Sequence, residues 1–336
     1  MGQYFAIEYA NLWMGIKETA LRTSAEGKDT TNAVGASFRR FPIRWDGGIQ
    51  PKRLIHRVIR RRSAGKGLDY SHVYREGYEP CKMTISGEIV DFAFLYQLCG
   101  NCATAGTFTH TYITSTAIAT VWPSFQMLQK IGNAVTGETE YLLYTGCKIK
   151  SLTATWREGG KLMGSLEIEC ANVIAGTALT TEPNFIDDAP YYFDPTTAFS
   201  LKKDGVAYAG TISEWSLYWN NGQYLRVPDF KVLPDRILGD FRTVELSFKW
   251  IPEDKDNIQL DPATETDIDV EHVITNGVDT LEMDWAKVTL EYLGEAYNYK
   301  NFYLGRDYRI SLNPRLVSTL TMLETNSANA TYYEGA

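Results

Sequence analysis

The chain has 336 residues, 33 basic and 41 acidic side chains for a net charge of −8, and 44% hydrophobic residues. That length fits one large or two medium domains that bury about three quarters of the unfolded surface without help from disulfides. Twenty-one tyrosines, with Thr, Val and Ile crowding the readable segments, favour strands over helices, so a mainly β fold is expected.

Met1-Gly2-Gln3-Tyr4 carries no charged region followed by an apolar core, and no stretch approaches the roughly 20 apolar residues of a membrane span. Synthesis in a cytoplasm and no membrane partner are expected. Cys81, Cys99, Cys102, Cys147 and Cys170 are odd in number and three lie in strand-like patterns, which favours buried thiols over a disulfide framework.

In chain order, residues 4–9 alternate and residues 24–32 form a polar stretch that reads as a loop. Residues 39–66 then carry ten basic side chains against Asp46, leaving 23 basic and 40 acidic residues elsewhere. A segment of +9 rides on a body of −17. It is open to three readings: nucleic-acid binding, a solvated face, or docking onto an acidic region of another copy.

An acidic body repels phosphate over about 10 Å, whereas complementary charge between copies sets orientation. Leu54, Ile55, Val58 and Ile59 add an apolar stripe at helical spacing after Pro51, which a docking element would bury. The docking reading assigns Arg53, Arg57, Arg60, Arg61 and Arg62 to one side of an inter-subunit contact. Its other side is drawn from residues 253–284, where eleven acids face only Lys255, and takes Asp254, Asp256, Asp267, Asp269 and Glu271.

Residues 79–90 read as a strand. Residues 91–100 read as a helix between a capping Asp91 and a terminating Gly100, apolar nearly all round and therefore covered. Strand patterns follow at 107–114, 121–130, 140–156 and 161–171, completing a first β module over residues 1–175. Three prolines mark residues 176–198 as a linker. A second module is expected over 199–336, closing with strands at 281–293, 302–312 and 315–323.

A strand-turn unit occurs twice. Residues 149–156 precede Arg157-Glu158-Gly159-Gly160, and residues 212–219 precede Asn220-Asn221-Gly222-Gln223. Leu152, Ala154 and Trp156 share one face in the first copy; Trp215, Leu217 and Trp219 share one in the second. Each unit is followed by a return strand, Leu162, Gly164, Leu166, Ile168 and Cys170 alternating with polar residues, then Val244, Leu246, Phe248 and Trp250 doing the same. A duplicated module is expected, its second hairpin closing through a long loop over 220–241.

Signatures of chemistry are missing. Cys99-Gly100-Asn101-Cys102 has no second ligand pair at zinc spacing. His56, His72, His110 and His272 sit in no nucleophile or zinc motif, and no glycine-rich phosphate loop follows a strand. Residues 267–272, Asp-Ile-Asp-Val-Glu-His, could ligate a cation, but their alternation with Ile268, Val270 and Val273 equally describes an exposed strand. No enzyme activity, metal or cofactor is expected.

Residues 84–100, then Thr107-Phe108-Thr109-His110-Thr111, then Tyr144-Thr145-Gly146-Cys147-Lys148-Ile149 resemble, in that order, a tail tube protein of long-tailed bacterial or archaeal viruses. The later half is similar through Ile212-Ser213-Glu214-Trp215-Ser216-Leu217 before Asn220-Asn221-Gly222, and through Gly239-Asp240-Phe241-Arg242-Thr243-Val244. The basic segment and the acidic region have no counterpart in that pattern. The resemblance implies two tandem β-sandwich or barrel modules and a virion protein whose rings, three two-module chains each, stack into a hollow tube. It also implies tape-measure and tail-tip or terminator partners, with viral DNA passing through the lumen unbound. A tail terminator, a capsid decoration protein and a carbohydrate-binding module remain as alternatives.

Overall fold

In the computed structural model, the described residues are 11–17, 39–45, 55–61, 70–78, 81–89, 92, 94–99, 103–105, 109–115, 124–132, 139–175, 200–208, 210–226, 236–239, 242–252, 265–275, 280–298, 303–313, 315–316 and 318–325. The expectations for residues 4–9, 24–32 and 176–198 fall outside them.

The chain opens with β1 (Asn11–Lys17), β2 (Arg39–Arg40), β3 (Ile43–Trp45), β4 (Ile55–Arg61), β5 (Tyr70–Tyr78) and β6 (Cys81–Ile89). The helix α1 (Leu95–Cys99) precedes β7 (Ala103–Ala105), β8 (Thr109–Ser115), β9 (Phe125–Gly132), β10 (Thr139–Arg157), β11 (Met163–Cys170) and β12 (Asn172–Ala175). Then come β13 (Ser200–Lys203), β14 (Val206–Tyr208), β15 (Gly210–Asn220), β16 (Gln223–Arg226), β17 (Arg236–Gly239) and β18 (Thr243–Pro252). The last four are β19 (Glu265–Thr275), β20 (Thr280–Asn298), β21 (Tyr303–Ser311) and β22 (Thr319–Thr325). The fold is mainly β, a large antiparallel sheet with one short helix among the described residues.

Two nineteen-residue strands organise that sheet. Along β10 the order runs β2-β1-β9-β10, with β12 and β11 in succession on the next edge, then β6 and β3. Along β20 it runs β14-β13-β19-β20, with β22 and β21 in succession, then β18 and β15. A two-stranded ladder comes at matching places in chain order, β4–β5 after β3 and before β6, β16–β17 after β15 and before β18. Among the described strands two ladders join these regions: β15 pairs with β10, and β22 pairs with β8, which continues to β7.

Both long strands break direction at their eighth residue, which takes a left-handed conformation: Gly146 at φ 61° and Lys287 at φ 54°. Glycine does this without strain; a lysine there is disfavoured by roughly 1 kcal/mol. At Lys287 hydrogen bonds hold the bend, its N–H donating to Asp269 Oδ1 at 2.9 Å and its carbonyl accepting from the Ser318 hydroxyl. At Gly146 the Ala171 N–H donates to the Thr145 and Gly146 carbonyls, at 3.0 and 3.3 Å.

One hydrophobic cluster runs from Leu12 to Met322 and draws on both long strands. Its members are the alternating residues named from sequence, Leu152, Ala154, Leu166 and Ile168 alongside Trp215, Leu217, Trp219, Leu246 and Trp250, each at most 4% exposed. Burial of this many large side chains is the main stabilising term.

Four expectations change. The repeated units at 149–156 and 212–219 are ladder neighbours, with Leu152 opposite Trp219 and Trp156 opposite Trp215. The apolar residues of both lie on one buried sheet face. The stripe at Leu54, Ile55, Val58 and Ile59 is not helical over its described part: residues 55–61 form β4, whose β-branched residues find a partner strand in β5. Of the helix expected over 91–100, Leu95–Cys99 is helical with every residue buried as foreseen, and its expected ends, Asp91 and Gly100, lie outside the described residues. The loop over 220–241 holds the β16–β17 ladder at its base, while its two Pro-Asp pairs lie outside the described residues.

Candidate subunit-contact surfaces

The docking residues named from sequence separate into two places. Arg57, Arg60 and Arg61 lie on β4, in a hairpin that pairs with no other strand among the described residues; Arg53 and Arg62 lie outside the described residues. Asp267, Asp269 and Glu271 lie on β19, within the large sheet; Asp254 and Asp256 lie outside the described residues. Among the described residues no ladder brings the two groups together within one chain.

The acids on β19 are not equivalent. Asp267 is exposed, with φ 64° at a register shift. Asp269 is a structural knot. Besides receiving the Lys287 N–H, its own N–H donates to Asp204 Oδ1 at 3.0 Å and its carbonyl accepts from the Asp204 N–H at 2.9 Å. Glu271 pairs with Lys202, which holds the ammonium pKa above its ordinary value.

Across the β19–β20 ladder Glu271 faces Asp284, with Glu282 two residues away. Burial, followed by the charges of Asp269 and Glu271, raises the Asp284 pKa; burial and Glu271 raise that of Glu282, against a smaller lowering by Lys202. This concentrates negative charge on one part of the sheet. Such a patch repels a phosphate backbone and attracts a basic element.

His272, at the end of the candidate cation run, is fully buried and stacks on Trp215 at 6.3 Å between centroids. Desolvation pushes its pKa down to about 3. Ile268, Val270, His272 and Ile274 make the inward face, while Val273 is only half-buried. The run is therefore a strand with one dry side. Among the described residues no group of three or more His, Cys, Asp and Glu side chains is placed to hold a metal ion.

Sequence reasoning missed a ladder of alternating charge. Arg157, Glu214, Lys249 and Asp307 are direct cross-strand partners on β10, β15, β18 and β21, with N–O distances of 3.1, 3.2 and 4.0 Å in turn. These residues are far apart in the chain, so only the register reveals them. They edge a cavity of about 630 Å³ that also includes Trp156, Met163, Trp215 and Leu293.

Open sheet edges are the other feature. β20 has β19 on one side as far as Leu290, and from Glu291 to Asn298 it pairs with β21 alone among the described strands. Leu293, at the bulge there, is 50% exposed. β3 pairs only with β6 among the described strands. By contrast β10 is paired on both edges beyond its bend, to β11 and β15, and there Leu152 and Ala154 are buried. Trp219 of β15 lies under this joint, with the Arg242 guanidinium 5.7 Å from its ring centroid.

No protein-family model matches this chain, and no curated protein matches it.

Proposed function

We propose that this protein is a structural virion component, a two-module chain that closes into rings stacked as the tail tube. The observation that carries this reading is the joint between β10 and β15. Two regions with one pairing order support a duplicated module, the first holding β10 and the second β20. Within the chain the joint sets β15 of the second module on the open edge of β10 in the first. Their counterparts, β20 beyond Leu290 and β3, are each paired on one side only among the described strands, to β21 and β6.

A donor edge at one end and an acceptor edge at the other make a heterologous interface. Such an interface gives a ring when its rotation closes. Closure also removes exposed strand edges, which otherwise invite uncontrolled pairing. With two modules per chain, three chains complete a six-module ring. The acidic patch at Asp269, Glu271, Glu282 and Asp284 offers the basic β4–β5 hairpin of another copy a surface for stacking.

The carbohydrate-binding alternative has less support. It needs exposed aromatic faces, and the tryptophans beside the acids of the 630 Å³ cavity, Trp156 and Trp215, are 9% and 3% exposed. The mass of the purified chain in solution tests the proposal, with trimers or larger assemblies expected. Leu293→Asp, placed on the open edge, should give a folded monomer. A wild-type chain that stays monomeric at high concentration would rule the reading out.

A further inference from the structure

Three thiols lie in a row across three neighbouring strands. Cys147 is on β10, Cys170 on β11 and Cys81 on β6, all at most 2% exposed. Cys170 is directly opposite Cys81 in the β6–β11 ladder. On its other side, Cys147 and Cys170 stand one step past the last β10–β11 ladder pair, Lys148 and Glu169, and their sulfurs are 3.0 Å apart. An S–S bond is about 2.05 Å long. The pair thus needs about an ångström of approach, and no strand has to change register.

The matching place along β20 is filled differently. One step past the Thr289–Ser311 pair stand Val288 and Leu312, both buried. Two aliphatic side chains therefore suffice to pack this corner of the fold. Thiols at the same place in the first region add a chemistry that packing does not require.

We propose that Cys147 and Cys170 are an oxidative cross-linking site, reduced when the chain folds and converted to a disulfide by a peroxide. One thiol, as thiolate, attacks hydrogen peroxide and gives a sulfenic acid, with the second peroxide oxygen leaving as water after protonation. The other thiol then attacks the sulfenic sulfur, the S–S bond forms, and the hydroxyl leaves as a second water. Two electrons pass from the thiols to the peroxide. The bond staples β10 to β11 beside the Gly146 bend. This inference rests on the strand geometry and stands apart from the tube reading.

Burial sets the rate. The thiolate is the reacting form, and apolar surroundings disfavour it, so the native pair should react at least about tenfold more slowly than the same thiols in the unfolded chain. The experiment treats the purified full-length protein with hydrogen peroxide after reductant is removed. The result expected is an intact-mass loss of about 2 Da, the two hydrogens of one disulfide, and a non-reducing digest that joins the Cys147 and Cys170 peptides. Cys81→Ser should keep the cross-link.

The double variant Cys147→Val, Cys170→Leu copies the residues found at β20 and should fold without gaining the cross-link. If the variants do not fold, the wild-type digest alone decides. Native protein whose thiols all remain alkylatable after peroxide and unfolding would overturn the proposal. A digest joining Cys170 to Cys81 would also overturn it.

Discussion

β10 and β20 have the same length and bend at the same step, but their surroundings differ beyond the bend. β15 covers the outer edge of β10, and Leu152 and Ala154 are buried there. No described strand covers the corresponding edge of β20, where Leu293 is half in solvent. The bends differ as well, a buried glycine in one strand and an exposed lysine held by Asp269 and Ser318 in the other. Among the described strands, the edge beyond the bend is thus covered in β10 and uncovered in β20. That difference turns a fold into an account of assembly.

The largest expected effect breaks the covered joint. Trp219 is fully buried opposite Leu152, so Trp219→Ala should cost about 3–5 kcal/mol, the usual range for emptying a large aromatic site. Denaturant unfolding of the variant measures it. A loss below about 1 kcal/mol, the scale of ordinary surface change, would mean that the β10–β15 joint contributes little.

Next in size is the acid response of the core beneath β19. His272 has a folded pKa of about 3, below its unfolded value, so the unfolded chain binds the extra proton between these limits. Its contribution is complete above the unfolded pKa and falls with pH below it, by about 1.4 kcal/mol per unit. His272→Leu should flatten that slope between pH 6 and pH 4. An unchanged slope in thermal unfolding would remove His272 as its source.

The bends predict opposite signs for small changes. Gly146→Ala should cost about 1–2 kcal/mol, because a Cβ is placed on a left-handed, buried residue. Lys287→Gly should stabilise by about 0.5–1 kcal/mol, because strain is relieved at an exposed site. Equal signs in the two unfolding curves would contradict the matching of the bends.

The smallest effect belongs to the acidic patch. Folding raises the Glu282 pKa, so the folded chain holds the extra proton and stability declines as pH rises through the raised value. Glu282→Gln should gain a few tenths of a kcal/mol at pH 7, a gain kept small by solvent exposure and vanishing near the ordinary carboxylate range. Melting points at pH 7 and pH 4 check this.

Local alternation was legible in the sequence because side-chain direction in a strand follows from the backbone alone. Leu152 to Trp156, Leu162 to Cys170 and Val244 to Trp250 are buried on the side their pattern indicated. The two return-strand pairings, β10 with β11 and β15 with β18, were legible as well, but the ladders between more distant strands, β10 with β15 and β22 with β8, were not. The repeated units at 149–156 and 212–219 looked like copies and are neighbours, while the matching long strands, β10 and β20, share little sequence. At Ile55, Val58 and Ile59 the spacing fits a helix, but β-branched side chains favour the strand that forms. Asp269 read as a docking charge because its sequence shows an acid, whereas its backbone and carboxylate bonds appear only once β19 and β20 are paired.

Electron microscopy of the purified wild-type chain tests the central claim most directly. Closed rings of three chains, stacking into hollow tubes as concentration rises, are the expected result. Single dispersed particles of one chain at every concentration would contradict it.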